Sequence, residues 1–127
     1  MSAFAPITGR RIRFALAGCG RISKNHFDAI GHHQVDAELV DVCDTDPRML
    51  AAAVERTGAR GHESLERMLA ATDADAVALT TPSGLHPQQA MQVAAVGRHV
   101  VTEKPMATRW ADGLRMVRAC DDAGVRL

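Results

Sequence analysis

Gly18 and Gly20 stand one residue apart between an apolar run and an amphipathic one, an arrangement suited to holding a phosphate. Glycines let the chain turn tightly and let the backbone approach a pyrophosphate, while the N–H groups opening the next helix face the anion. Arg21 and Ile22 complete the turn. The usual third glycine is Ser23 here, small enough for close helix–strand packing, yet the departure keeps an ordinary strand-to-helix turn open as an alternative. Asp44 favours the first reading. It closes the next apolar run, about 20 residues on, where a carboxylate accepts hydrogen bonds from an adenosine ribose. Its charge repels a 2′-phosphate and so favours NAD over NADP, with nearby Arg48 as a counterweight. The other reading of Asp44 is a turn or cap residue, but Asp46 already suits that task.

Two further strand ends carry polar groups. The run Thr80-Thr81-Pro82-Ser83-Gly84-Leu85-His86-Pro87 offers hydroxyls, a glycine and a helix start suited to phosphate and nicotinamide-side ribose, although such runs also occur as plain loops. Glu103-Lys104-Pro105 puts a charged pair at the end of another apolar run. Lys104 can hydrogen-bond a reacting hydroxyl or tune a neighbouring proton acceptor, and a surface ion pair with Glu103 is the alternative. The histidines read as structural or exposed: His26 on a packing face, His32 and His33 beyond a helix end, His62 and His99 flanking elements. Cys19, Cys43 and Cys120 are far apart and odd in number, without metal-ligand spacing, as expected of reduced thiols in a cytoplasmic protein.

The elements that must position these groups alternate. Ile12–Ala17 reads as a buried strand, followed by a helix from Arg21 to Gly31 with Ile22, His26, Ala29 and Ile30 inward. Glu38–Asp44 is the second strand. Asp46 as N-cap and Pro47 at the first helical position open a helix with Leu50, Ala53 and Val54 on its apolar stripe, ended by Gly58. A short third strand is expected near Ala59-Arg60, then a helix capped by Ser64 with Leu65, Met68 and Leu69 inward. Ala76–Thr80 is a strand, a helix runs from Pro87 to Gly97, and His99–Thr102 is a strand. The last helix is expected over Thr108–Ala123, packed through Trp110, Leu114 and Val117, with Val125–Leu127 as the beginning of a final strand. Strand–helix alternation with short connections predicts an α/β Rossmann-type, doubly wound parallel sheet in one domain over 11–127, after a disordered arm over 1–10.

Composition narrows the partners. With 127 residues, 46% of them hydrophobic and 24% charged, the chain has the profile of a soluble domain. Fifteen basic residues balance fifteen acidic ones, leaving no electrostatic footprint for nucleic acid. Charged residues interrupt every apolar run, so no membrane span is expected.

Together the Gly-Cys-Gly-Arg-Ile-Ser turn, the Cys43-Asp44 strand end, Thr-Pro-Ser-Gly-Leu-His and Glu-Lys-Pro-Met-Ala resemble the glucose–fructose oxidoreductase, inositol dehydrogenase and rhizopine-catabolism family of NAD(P)-dependent oxidoreductases. The resemblance covers nearly all of the chain from Arg11 onward. It implies that Gly18, Gly20, Arg21 and Ile22 surround the pyrophosphate of NAD and that Asp44 holds the adenosine ribose. It places Thr81, Pro82, Leu85 and His86 beside the cofactor, Glu103 near the nicotinamide ribose and Lys104 at the substrate, with a cis Lys104–Pro105 bond. Within the family the run is most similar to members that oxidise the 3-hydroxyl of UDP-N-acetyl-glucosaminuronic acid in lipopolysaccharide synthesis, implying a sugar or nucleotide-sugar substrate. Family members also carry a second α/β domain with most substrate contacts and an Asp/His pair, so these 127 residues alone are expected to bind NAD weakly and turn over nothing. A homo-oligomer is expected, with pairing at the Val125 stub. A non-catalytic NAD-binding sensor or interaction module is the competing reading, and an S-adenosylmethionine-dependent transferase on a similar sheet is disfavoured by Glu-Lys-Pro.

Overall fold

The computed structural model describes residues 5–127. Five parallel strands form one sheet in the order β3-β2-β1-β4-β5: β1 (Ile12–Ala17), β2 (Ala37–Cys43), β3 (Arg60–His62), β4 (Ala76–Leu79) and β5 (His99–Thr102). The order reverses between β1 and β4, which opens a crevice at their carboxyl ends. Helices α1 (Ser23–His32) and α2 (Pro47–Thr57) cover one face, closing a core of Leu16, Phe27, Val42 and Ala53. Helices α3 (Leu65–Ala71), α4 (His86–Ala95) and α5 (Trp110–Ala123) cover the other, around Ala15, Met68, Val77, Val93 and Met116. Strand β1 thus feeds both cores, because alternate side chains point to opposite faces. Among the described residues no helix is long and apolar enough to cross a membrane.

Local signals act largely as expected. The Asp46 carboxylate accepts the Arg48 N–H at 2.9 Å with Pro47 beside it, Ser64 Oγ accepts the Arg67 N–H at 3.1 Å, and Gly58 ends α2 at φ 73°. The third strand falls slightly later than expected, at Arg60–His62, and β4 stops at Leu79.

Three expectations are corrected. First, α1 starts at Ser23 and turns Ser23 and Phe27 inward, while Ile22 and Ala29 are exposed and His26 and Ile30 half-buried. The turn must pass close to β1, so the small Ser23 faces the strand and shifts the buried stripe away from Ile22. Second, α5 starts at Trp110 and packs through Met116 and Cys120, whereas Trp110 is 82% exposed and Val117 lies at the surface. Third, Val125–Leu127 forms no strand: Val100 N–H donates to Arg126 O at 2.8 Å, without a ladder. Of the arm expected over 1–10, residues 1–4 lie outside the described residues. Ala5–Arg10 carry no helix or strand, and Arg10 is held by a two-pronged pair with Asp75 at 2.8 Å on each arm.

One buried charge in the sheet was invisible as such in the sequence. Asp41 of β2 is fully buried, and its carboxylate accepts from Thr72 Oγ1 (2.6 Å), His62 Nε2 (2.8 Å) and Arg60 Nε (2.9 Å). Burial pushes its pKa up, but the combined bonds from Thr72, His62 and Arg60 outweigh burial and leave it below the usual carboxylate range. These bonds fasten the edge strand β3 and the end of α3 to β2. Asp75 is held down to about 2, chiefly by its bond from Arg10.

A carboxyl whose folded pKa lies below its unfolded value stabilises the fold above the unfolded value and loses that contribution as pH falls through the folded one. The urea midpoint should therefore stay level down to about pH 5 and fall below about pH 4, the ordinary carboxylate range. Asp75→Asn should shift less over that acid range, at a cost of about 1 kcal/mol at neutral pH for its lost charge-assisted bonds. An unchanged acid slope in Asp75→Asn would remove Asp75 from this role.

Candidate functional site: a dinucleotide cleft at the carboxyl ends of the strands

The turn after β1 is set by contact between two backbones. Gly18 has φ 92°, and a Cβ there would lie 2.8 Å from Thr80 C, Thr80 O and Thr81 N. No other residue fits. Gly18 N–H donates to Cys43 O at 2.9 Å, and Thr80 Oγ1 donates to Gly18 O at 2.6 Å, so the turn is tied to the ends of β2 and β4 together. Gly20 differs: a Cβ there would meet nothing within 4 Å. The space in front of Gly20 is open to a ligand.

Ser23, in the place of the third glycine, is fully buried and closes the turn by donating Oγ–H to Gly20 O at 2.5 Å. The amides of Gly20, Arg21 and Ile22 donate to no acceptor among the described residues, and they sit at the amino end of α1. Consecutive unpaired N–H groups at a helix start form a concavity for an anion. These residues fit a pyrophosphate.

Asp44 lies just beyond β2. It is less free than its neighbour's capping role suggested, because its carboxylate accepts Cys19 N–H at 2.8 Å and Asp46 N–H at 2.7 Å. A carboxylate has about four acceptor positions, so two remain for ribose hydroxyls. A cleft of about 220 Å³ brings Gly18, Asp44, Thr81, Pro82 and Leu85 together. It also includes Thr45, Ser64 and Gln89, which the sequence reading did not single out. Ser64 announces itself only as a cap, and Gln89 has no signal beyond helix composition; its Oε1 accepts from Thr81 Oγ1 at 2.5 Å. A larger groove, about 700 Å³, runs along β5 past Val101, Met106 and Val117. Its lining, mostly apolar with Thr102, Asp121 and Arg126, lacks the amide cradle, so the smaller cleft is the nucleotide candidate.

The remaining site residues lie along the same carboxyl edge. Glu103 N–H donates to Leu79 O at 3.1 Å, which sets the end of β5 beside that of β4. Its side chain pairs with His26 Nε2 at 2.7 Å, and Lys104 N–H donates to its other oxygen at 3.3 Å. The bond from His26 holds Glu103 below the usual carboxylate range. The Lys104 side chain is exposed, and among the described residues no carboxylate lies within ion-pair distance of its ammonium, so the alternative pair with Glu103 is not formed. The Lys104–Pro105 bond is cis. His86 is buried, with both ring nitrogens facing backbone carbonyls. Cys19 and Cys43 are pushed up to about 12, mainly by burial, so both are protonated, unreactive thiols at neutral pH. Among the described residues no group of His, Cys, Asp and Glu is placed to hold a metal ion.

Residues 12–127 match the family model for an oxidoreductase family with an NAD-binding Rossmann fold, that of the glucose–fructose oxidoreductases, inositol dehydrogenases and rhizopine-catabolism proteins. This chain belongs to that family. It is 65% identical, at a TM-score of 0.97, to the WlbA dehydrogenase of Chromobacterium violaceum, whose structure holds NADH and UDP-GlcNAcA; the match covers 98% of this chain and 36% of that one. It is 66% identical, at a TM-score of 0.95, to the Bordetella pertussis WlbA dehydrogenase with the same ligands, over 96% of this chain and 36% of that one. The inositol 2-dehydrogenase of Rhizobium meliloti is 40% identical over 86% of this chain and 31% of the relative. The chain therefore spans about a third of the length of these relatives. It is an NAD-binding Rossmann domain of this oxidoreductase family.

The two glycines should separate cleanly. Gly18→Ala should cost about 2 kcal/mol or more in denaturant unfolding, through positive φ and backbone collision. Gly20→Ala should change stability by less than about 0.5 kcal/mol and weaken NAD binding about tenfold, by intruding where the pyrophosphate approaches. Equal stability losses would contradict these assignments.

Proposed function

We propose that this chain holds NAD along the carboxyl edge of its sheet and, within the whole protein, serves the oxidation of a nucleotide-sugar hydroxyl, the 3-hydroxyl of UDP-N-acetyl-glucosaminuronic acid. The observation that carries the proposal is the set of three unpaired amides at Gly20, Arg21 and Ile22 beside Asp44, on the same strand-end edge as the unpaired ammonium of Lys104. The two WlbA dehydrogenases, each crystallised with NADH and UDP-GlcNAcA, support the choice of substrate.

In this reading the amides of Gly20, Arg21 and Ile22 bind the pyrophosphate, and Asp44 accepts from the adenosine ribose. Thr81, Pro82, Leu85 and His86 line or support the middle of the cofactor site, and Glu103 faces the nicotinamide-side ribose. Bound NAD supplies the hydride acceptor. Lys104 hydrogen-bonds the substrate hydroxyl and stabilises negative charge on its oxygen as the proton leaves to a base held nearby. Holding hydroxyl and cofactor in near-attack geometry is the protein's main contribution. A cytoplasmic setting and a homo-oligomer belong to the same proposal, and light scattering that shows only monomer would remove the second. By itself this chain binds NAD weakly and turns over nothing.

Calorimetry and steady-state kinetics test the proposal. NAD should bind more tightly than NADP, and Asp44→Ala should weaken NAD at least tenfold while narrowing that preference. In the whole protein Lys104→Met should lower kcat about a hundredfold with NAD affinity little changed. NAD binding with full turnover in Lys104→Met would contradict the role of Lys104. Binding without any nucleotide-sugar oxidation in the whole protein would favour a sensor module.

A further inference from the structure

Two histidines stand at the base of the turn that carries Lys104. His86, only 1% exposed, opens α4, with Nδ1 3.0 Å from Pro105 O and Nε2 2.9 Å from Thr81 O. Carbonyl oxygens only accept, so whichever ring nitrogen carries the proton donates to the carbonyl it faces, and the other nitrogen packs against the second. One ring thereby links the loop after β4 to the turn after β5. His26 sits on α1, the helix whose first turn presents the unpaired amides. Its Nε2 meets Glu103 Oε1 at 2.7 Å, and Glu103 Oε2 accepts Lys104 N–H at 3.3 Å. The backbone on both sides of the Lys104 side chain is therefore anchored, through Glu103 to α1 and through Pro105 to α4. Among the described residues the ammonium itself has no such anchor.

We infer that His26 and His86 are positioning residues, a two-point brace that aims the Glu103–Lys104–Pro105 turn at the nucleotide cleft. The inference rests on the role proposed for Lys104. A lysine side chain has many rotamers, so its aim depends on a fixed backbone, and a displacement of about 1 Å at a reacting group can cost a hundredfold in rate. The brace also couples the two ends of the cofactor site, since α1 carries the pyrophosphate amides and holds Glu103 by the same helix.

Amide hydrogen exchange in the ligand-free protein tests the brace without reference to catalysis. His86→Phe keeps a ring of similar size and removes the ring N–H, and His26→Ala removes the contact to Glu103. Exchange at Glu103 and Lys104, whose amides donate to Leu79 O and Glu103 Oε2, should accelerate about tenfold in each, while Leu16 and Val77 in the sheet core keep their protection. His86→Gln, which restores an amide donor, should recover part of the protection. With substrate present, both variants should lose about tenfold in kcat, a larger effect than their loss of NAD affinity. Unchanged exchange at the turn, or equal acceleration across the sheet, would overturn the brace. Local acceleration in a protein that oxidises no nucleotide sugar would leave the brace standing and fail the oxidoreductase proposal instead, so the two failures are distinct.

Discussion

The approach of the β1 turn to the end of β4 leaves no room for a single methyl group, and the cleft takes its shape from that contact. Gly18 is pressed on the Thr80–Thr81 backbone while its own amide and carbonyl bond to Cys43 and Thr80. The three central strands therefore end at a common edge. Because the strand order reverses between β1 and β4, the loops there diverge and leave space above the contact. Gly20 faces that space, and Asp44 borders it. A side chain at Gly18 would push β1 away from β4 and take the amide cradle with it.

Charge at this edge is arranged by fixed dipoles as much as by formal ions. Asp44 anchors the glycine turn through Cys19 N–H and keeps acceptor positions open, so one carboxylate shapes the turn and can still grip a ligand. Glu103 likewise has one oxygen turned to His26 and the other to the Lys104 amide. Among the described residues the Lys104 ammonium has no carboxylate within ion-pair distance. An ion pair there would have to be broken, at an energetic cost, before the lysine met a hydroxyl. Elsewhere in the sheet, Asp75 before β4 and Asp41 within β2 spend their charge on holding strands and connections, which is a separate, structural use of the same residue type.

The alternation of elements, the caps at Asp46 and Ser64 and the glycine turn were legible in the sequence because each is a local signal read within one or two turns of chain. Asp44 and the Glu103-Lys104-Pro105 run were legible because they follow apolar runs at strand ends. What escaped depends on long-range packing. The stripe of α1 moved from Ile22 to Ser23 and Phe27 because close passage to β1 selects a small side chain. Trp110 has the composition of a core residue and stays at the surface, since α5 docks on α4 through Met116 and Cys120. Asp41 lies within the second strand without a signal of its own, and its partners Arg60, His62 and Thr72 come from β3 and the end of α3. His26 carried no hint of Glu103, far away in the chain.

The central claim is that a cradle, a ribose acceptor and a lysine turn serve one extended ligand. Titrating the isotopically labelled chain with NAD and following backbone amide resonances tests it most directly. The account predicts coupled shifts, saturating with one dissociation constant, at Gly20, Arg21 and Ile22, at Asp44 and Thr45, and at Glu103 and Lys104. Shifts confined to the groove along β5, around Val101, Met106 and Val117, with Gly20 and Asp44 unmoved, would contradict it.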